Sequence, residues 1–257
     1  MRLSQYLFLL LVSLSPALTS AATPTLSYIT EEAFPFNYTD ERGQLQGISV
    51  ELLRLTWQVM GEPEQEIRVM PWARAYYLMT QKPDIVLFST ARTSKREPYF
   101  KWACPIDRIK VVIFGPKNTA IKISHLNQFK SSMIAAMRTD VGEQLLLNHS
   151  FDDHNIKLTN NYRQLIRLLL SKRVEYISGV ETIIRQAAIE NQLPLDAYEV
   201  KWLLQDVPLC YAFNRTISDH FIERFQTALL KILDSPRYSE ILKKYQSLRA
   251  PSKHLPK

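Results

Sequence analysis

The chain has few glycines, few cysteines and little long apolar sequence. Only six glycines occur among its 257 residues, and they form neither a phosphate-cradling loop nor a dinucleotide fingerprint, so nucleotide chemistry is not expected. The two cysteines, Cys104 and Cys210, leave two alternatives open. They form a disulfide if the protein folds in an oxidising compartment, or they remain as two buried thiols.

The charge pattern argues against a nucleic-acid partner. The formal net charge is +7, from 32 Lys and Arg residues against 25 Asp and Glu residues, and acidic residues are interleaved along the whole chain rather than leaving one basic stripe.

The sequence also lacks a recognisable hydrolase nucleophile motif, because no Gly-x-Ser-x-Gly elbow is present. The segment from His149 to His154 contains metal-binding residue types, but its spacing favours a solvated turn. We expect no cofactor and no metal.

The one apolar run at the amino terminus has the layout of a secretory signal peptide. Arg2 precedes the apolar residues 6–14, and small residues follow up to Ala22. This run is too short to span a bilayer of about 30 Å hydrocarbon thickness. We therefore predict a signal peptide over residues 1–22, cleaved after residue 21 or 22, and a tail over residues 251–257 that is disordered.

Strands and helices alternate along the remaining chain, which predicts an α/β protein. Apolar residues at helical spacing between Val50 and Met60 predict a helix that is capped by Ser49 and stopped by Gly61. The same alternation is repeated from Met133 to Asn191. Two further helices are predicted near the carboxyl terminus, the first capped by Ser218 and the second capped by Ser235.

The segment Pro83 to Pro105 combines a buried-type strand with a hydroxyl-rich turn. The strand, residues 84–88, is apolar and β-branched. In open α/β sheets, ligands bind just beyond the carboxyl ends of strands. The turn supplies hydroxyls and two arginines, which match a carboxylate with paired hydrogen bonds: Ser89, Thr90, Thr93, Ser94, Arg92 and Arg96. An anion site and a solvated basic loop are both compatible with this pattern.

Five short motifs occur in an order that resembles the bacterial extracellular solute-binding proteins of family 3. They are a first strand (residues 26–30), an aromatic-proline loop (34–38), a Gly-x-x-Val-Glu-Leu helix start (47–52), a Thr-x-x-Arg-Glu turn (93–97) and the run IAAMRTDVGEQLLL (134–147).

This resemblance implies a two-lobed, Venus-flytrap fold in which each lobe is a sheet flanked by helices. On this basis we assign residues 23–114 and 207–250 to lobe one and residues 115–206 to lobe two. Two crossing segments join the lobes, so that the lobes can hinge shut on a small ligand.

The resemblance also assigns site residues in lobe one. Arg96 corresponds to the family's carboxylate-binding arginine, with a surface ion pair to Glu97 as the alternative. Ser89 occupies a ligand-contact position. Ala91 stands where the family has a hydroxyl residue, which leaves only backbone contact there.

In lobe two, the backbone of Thr139, Asp140 and Val141 opens a helix that offers a second anion contact. Asp140 is either a plain cap or a ligand contact. Val180 stands where amino-acid binders of the family have an aspartate for the ligand amine. The adjacent Glu181 either replaces it or simply favours its helix terminus.

Aromatic residues supply candidate apolar walls. The position at which many members of the family have a stacking aromatic is Ala33 in this chain, next to Phe34. Phe34, Phe36 and Trp72 form either a pocket wall or core, and Arg74 would contact a second anionic group if it faces the cleft.

The resemblance predicts a monomeric, non-enzymatic periplasmic protein that binds an amino acid or small carboxylate-bearing solute for an ABC importer or a sensor. Two alternatives stay open. One is an enzyme similar to cyclohexadienyl dehydratase, with Glu181 or Glu32 as proton donor. The other is a partner-binding module without a small-molecule ligand.

Overall fold

A computed structural model describes residues 26–118 and 124–249. The predicted signal peptide and the predicted disordered tail lie outside the described residues. Within the described ranges, no helix combines the length and the apolar character needed to cross a bilayer.

The chain forms ten strands and seven α-helices over the described residues, in the alternating order that the sequence predicts. The strands are β1 (Ser27–Thr30), β2 (Tyr38–Thr39), β3 (Leu45–Gln46), β4 (Ile67–Val69), β5 (Ile85–Ala91), β6 (Lys101–Pro116), β7 (Ile134–Met137), β8 (Ile156–Thr159), β9 (Tyr176–Val180) and β10 (Tyr198–Phe213). The helices are α1 (Ile48–Met60), α2 (Trp72–Gln81), α3 (Val141–Asn148), α4 (Tyr162–Leu170), α5 (Glu181–Glu190), α6 (Asp219–Leu233) and α7 (Pro236–Arg249).

Eight strands form one continuous sheet in the order β4-β1-β5-β10-β6-β9-β7-β8. In lobe one, β1 pairs in parallel with β4 and β5, and in lobe two β7 pairs in parallel with β8 and β9. The long antiparallel pair β6 and β10 runs through both lobes. This arrangement is the two-lobed periplasmic binding protein fold, as the resemblance implies.

The crossing strands reach lobe two earlier than the predicted boundary at residue 114. Residues Val111 to Phe114 of β6 already pair with β9 of lobe two, whereas Leu209 to Phe213 of β10 pair with β5 of lobe one. The crossing therefore lies before Val111 on β6 and before Leu209 on β10. Gly115 and Pro116 are the last residues of β6 and lie beyond this crossing.

Helix α1 is positioned by glycines at both ends. Gly61 ends it in the left-handed conformation, with φ 71°, as predicted. Its start differs from the prediction, because Gly47 is the capping residue and Ser49 lies inside the first turn. Gly47 has φ 130°, and a Cβ there would lie 2.1 Å from the carbonyl oxygen of Phe36. The loop that follows β1 therefore packs directly against the start of α1.

The carboxy-terminal helices return to lobe one. Ser218 caps α6 by accepting a hydrogen bond from the Phe221 amide, as the sequence predicts. Phe225 of α6 packs its ring against Tyr211 and Phe213 of β10 at centroid distances of 5.0 and 5.1 Å. Lobe one is thus built from two separate stretches of chain, with lobe two inserted between them.

Cys104 and Cys210 form a disulfide between β6 and β10. The alternative of two buried thiols is therefore not the one adopted. The bridge lies at the lobe-one ends of the two crossing strands, because Tyr211 pairs with Ala103 on one side of it and Leu209 pairs with Asp107 on the other.

Candidate functional site

A small cavity lies between the lobes, at the carboxyl ends of the parallel strands. Its volume is about 20 Å³, close to the room that one water molecule occupies. Both lobes and both crossing strands line it: Glu31, Ala33, Phe36, Trp72, Ser89 and Ala91 from lobe one, Ile109 and Leu209 from the crossing strands, and Asp140, Val141, Tyr162, Val180 and Ile183 from lobe two. The cavity has mainly apolar walls and two carboxyl groups.

Arg96 lies beside this cavity and is only 1% exposed. Its guanidinium lies over the rings of Trp72 and Tyr76, at 5.2 and 5.3 Å from their centroids. Nη1 donates to the Ala91 carbonyl at 3.2 Å, and Nη2 donates to the Thr139 carbonyl at 2.9 Å. Nε–H is buried and has no partner among the residues that the structure describes.

Arg96 is therefore the buried arginine of the site and not a surface ion-pair residue. Glu97, the alternative partner, instead forms a surface ion pair with Arg92 at 2.6 Å. Burial lowers the pKa of Arg96, while the Asp140 carboxyl opposes the shift. An arginine stays charged in proteins, so Arg96 places a positive charge in a poorly hydrated setting.

The turn after β7 brings Asp140 into the cavity. Asp140 is 6% exposed, and it accepts a hydrogen bond from the Tyr162 hydroxyl at 3.1 Å. Burial raises the pKa of Asp140, whereas Arg96 and the N–H groups of Val141 and Gly142 act in the opposite direction. The Asp140 carboxyl therefore lies close to the start of α3, where the sequence predicts a backbone anion contact.

Glu31 is a cavity-lining residue that the sequence did not point to. It follows β1 directly, lines the cavity and is partly exposed. Burial raises the pKa of its carboxyl well above the usual value, the nearby Asp140 raises it further, and Arg96 opposes the shift. Within the described residues its carboxyl forms no hydrogen bond or ion pair. Its position in the sequence, directly after the first strand, could have identified it, because ligands bind at the carboxyl ends of parallel strands.

Ser89 and Ala91 line the cavity from β5, which extends three residues beyond the predicted strand. Ser89 has φ 58°, and its hydroxyl contacts the Asn37 side chain and, at 2.7 Å, the Ser49 hydroxyl. Ala91 contributes its carbonyl to Arg96. The predicted hydroxyl-rich turn is thus partly a strand, because β10 pairs with it as an antiparallel partner.

The predicted aromatic and arginine residues lie in different places. Trp72 and Phe36 are buried and line the cavity. Phe34 is half-buried, contacts the Tyr38 ring at 4.9 Å and lines two outer grooves rather than the cavity. Arg74 is exposed and is not among the cavity-lining residues.

The two acidic residues considered as alternatives also lie outside the cavity. Glu181 begins α5 and forms an ion pair with Arg185 at 2.8 Å, while the preceding Val180 faces the cavity. Glu32 accepts hydrogen bonds from the amide and hydroxyl of Thr39 and lines an outer groove. Glu31 and Asp140 line the cavity, whereas Glu181 and Glu32 do not.

Comparison with solved structures shows the same fold over most of the chain. A histidine kinase sensor domain with similarity to periplasmic binding proteins has 19% identity and a TM-score of 0.74, covering 85% of this chain and 95% of its own. The arginine-, lysine-, histidine-binding protein ArtJ from Geobacillus stearothermophilus has 17% identity and a TM-score of 0.73, covering 86% and 95%.

A third similar structure is an ancestral amino acid-binding protein described as a precursor of cyclohexadienyl dehydratase. It has 15% identity and a TM-score of 0.69, covering 86% of this chain and 95% of its own. At these identities the likeness concerns the fold alone. No curated protein gives a significant match. The family model of bacterial extracellular solute-binding proteins, family 3, matches residues 26–247, and the chain belongs to this family.

Proposed function

We propose that the protein captures an amino acid or another small carboxylate-bearing solute between its two lobes and presents it to an ABC importer or a sensor. The observation that carries this proposal is the buried Arg96 beside a cavity that both lobes line. A solute held at this position contacts both lobes at once, so its binding favours closure about the crossing strands.

Arg96 is the proposed carboxylate anchor. Its Nη2 donates to the carbonyl of Thr139, and its Nε–H has no partner within residues 26–118 and 124–249. A ligand carboxylate that replaces the Thr139 carbonyl would receive hydrogen bonds from both groups along one edge of the guanidinium. Charge-assisted pairs of this kind are the strongest hydrogen bonds in proteins.

Glu31 is the proposed contact for a positively charged ligand group. Its carboxyl lines the cavity without a hydrogen-bond partner among the described residues, and its pKa is raised by burial. A ligand ammonium group would supply the missing counter-charge. Val180 at the family's usual amine position has no charge, so Glu31 is the better candidate in this chain.

Location and partner follow from the predicted signal peptide and the family. We propose export to the periplasm, a mature start at Ala22 or Thr23, and action as a monomer. Intact-mass measurement of the exported protein tests this, and a chain in the membrane fraction that still begins at Met1 would contradict it. Both an importer and a sensor are compatible, since similar structures include an amino-acid ABC transporter binding protein and a histidine kinase sensor domain.

The decisive experiment identifies the solute and then tests Arg96. Native mass spectrometry of protein purified without refolding, followed by thermal-melting screens of amino acids and small carboxylates, should yield at least one ligand. At one hundred times its dissociation constant, a ligand stabilises the native state by about 2.7 kcal/mol.

Arg96→Ala should then weaken binding by about 2 to 5 kcal/mol, the usual cost of removing one partner of a buried charge pair. Arg92→Ala is the matched control, because Arg92 lies in the same turn but forms a surface ion pair with Glu97. The proposal fails if the two variants bind the ligand equally well.

An enzyme is the second candidate function. Because Glu31 lines the cavity, it is a better candidate for the proton donor than Glu32 or Glu181. A carboxyl whose pKa is raised by burial is suited to donate a proton near neutral pH. We nevertheless expect chromatography to recover the ligand unchanged after long incubation. Conversion that is lost in Glu31→Gln would establish the enzyme, and a flat ligand screen would favour a partner-binding module.

A further inference from the structure

The carbonyl of Thr139 in lobe two accepts two hydrogen bonds from lobe one. Arg96 Nη2 donates to it at 2.9 Å, and the Trp72 indole Nε1 donates to it at 3.0 Å. Both donors belong to buried side chains, and charge-assisted hydrogen bonds are strengthened where water is excluded. One backbone oxygen is therefore the convergence point of two lobe-one donors.

The backbone conformation of Thr139 aims this oxygen at lobe one. Thr139 has φ 59°, a left-handed conformation that β-branched residues rarely adopt. Lobe two holds it there, because the Thr139 amide donates to the Glu143 carboxylate and the Thr139 hydroxyl donates to the Arg138 carbonyl at 2.7 Å. Strained residues that their surroundings hold in place are typical of functional sites.

A second direct contact between the lobes lies nearby. The Thr93 hydroxyl of lobe one donates to Gln144 Oε1 in the first turn of α3, at 2.7 Å. The cavity that remains beside these contacts measures only about 20 Å³. The two lobes therefore line a common cavity and also contact each other directly, through side chains and backbone.

We infer that Trp72, Arg96 and Thr139 form an interlobe latch, which closes the lobes onto each other without a ligand. In the latched state the Thr139 carbonyl occupies the edge of Arg96 that would otherwise receive an anion. A solute carboxylate must displace this carbonyl, so the latch lowers the apparent affinity by the fraction of molecules that it holds closed. The latch sets a threshold for which solutes the protein retains.

The test measures lobe closure in protein stripped of solutes by unfolding and refolding with its disulfide intact. Single-molecule energy transfer reports the distance between dyes at the exposed positions 66 in lobe one and 173 in lobe two. The dyes are attached through genetically encoded keto amino acids, because both cysteines belong to the disulfide. A populated closed state is expected without any added ligand.

Trp72→Phe removes the indole donor and keeps an aromatic ring over Arg96. It should lower the ratio of closed to open molecules about two- to tenfold, which is the range for loss of one hydrogen bond. Trp102→Phe is the matched control, because the Trp102 indole donates to the Glu97 carbonyl within lobe one, at 3.4 Å. Thr139→Gly should keep the closed state, since glycine retains the carbonyl and favours the left-handed conformation.

The latch is overturned if the stripped protein is entirely open, or if Trp72→Phe and Trp102→Phe have the same closed fraction. If Trp72→Phe does not fold, as judged by circular dichroism, Arg96→Met takes its place by removing the other donor to the Thr139 carbonyl, and an unchanged closed fraction then refutes the inference. These measurements use no ligand. A failed ligand screen would refute the proposed function and leave the latch standing.

Discussion

Removing the disulfide between Cys104 and Cys210 should cost the protein a large share of its stability. The two cysteines are separated by 106 positions, and the loop between them contains the whole of lobe two and most of both crossing strands. In the intact protein this long loop stays closed even in the unfolded chain. Without the bridge, the unfolded chain gains the conformational freedom that the loop had lost.

The magnitude follows from the length of this loop. The chain-entropy relation gives about 5 kcal/mol for a loop of roughly one hundred residues at 25 °C. The total free energy of unfolding of a natural protein is typically about 5 to 15 kcal/mol. The variant Cys104→Ala/Cys210→Ala should therefore be close to the limit of stable folding at 37 °C.

Urea unfolding followed by circular dichroism measures this effect. With a slope of about 3 kcal/mol per M, the midpoint should fall by about 1.7 M. A reductant should shift the midpoint of the natural protein in the same direction and leave the double variant unchanged, which separates the bridge from other effects of the reagent. A loss below about 1 kcal/mol would refute the argument that closure of this loop stabilises the fold.

Two further predictions concern the site and its support. Gly47→Ala should destabilise the protein by well over 1 kcal/mol in urea unfolding, because its Cβ would lie 2.1 Å from a carbonyl oxygen. Gly43→Ala is the control, since a Cβ at this position would have open space around it, and it should cost clearly less. Equal losses of stability in the two variants would contradict the steric reason. Glu31→Gln should raise the melting midpoint at pH 7 by about 2 °C or more. The pKa of Glu31 is raised in the folded protein, so the free energy of unfolding falls as the pH rises above about 4.3, the pKa of a glutamate in the unfolded chain. The gain should disappear near pH 4 and be absent in the exposed control Glu41→Gln, whereas a gain independent of pH would show that the charge is not its cause.

Local patterns along the chain predicted the fold well. The alternation of strands and helices, the glycine that stops α1 and the serine that caps α6 all act over a few residues, so their signals are readable without knowledge of distant partners. The predicted helix start at Val141 also agrees with the structure. Ser49 failed as a predicted cap because Gly47, two positions earlier, alone fits the close approach of Phe36.

The site depended on contacts between residues far apart in the chain. The Thr-x-x-Arg-Glu motif identified Arg96 from the sequence, but its partners come from lobe two and from α2, 43 positions away in the case of Thr139. Similarly, Cys104 and Cys210 meet only because β6 and β10 run side by side through both lobes. The sequence alone therefore determined the family and the fold, and it singled out Arg96 as the candidate carboxylate contact. The tertiary structure decided that Glu31 rather than Glu181 faces the cavity and that the Thr139 carbonyl meets Arg96, because closure of two lobes brings together groups whose spacing along the chain carries no record of their contact.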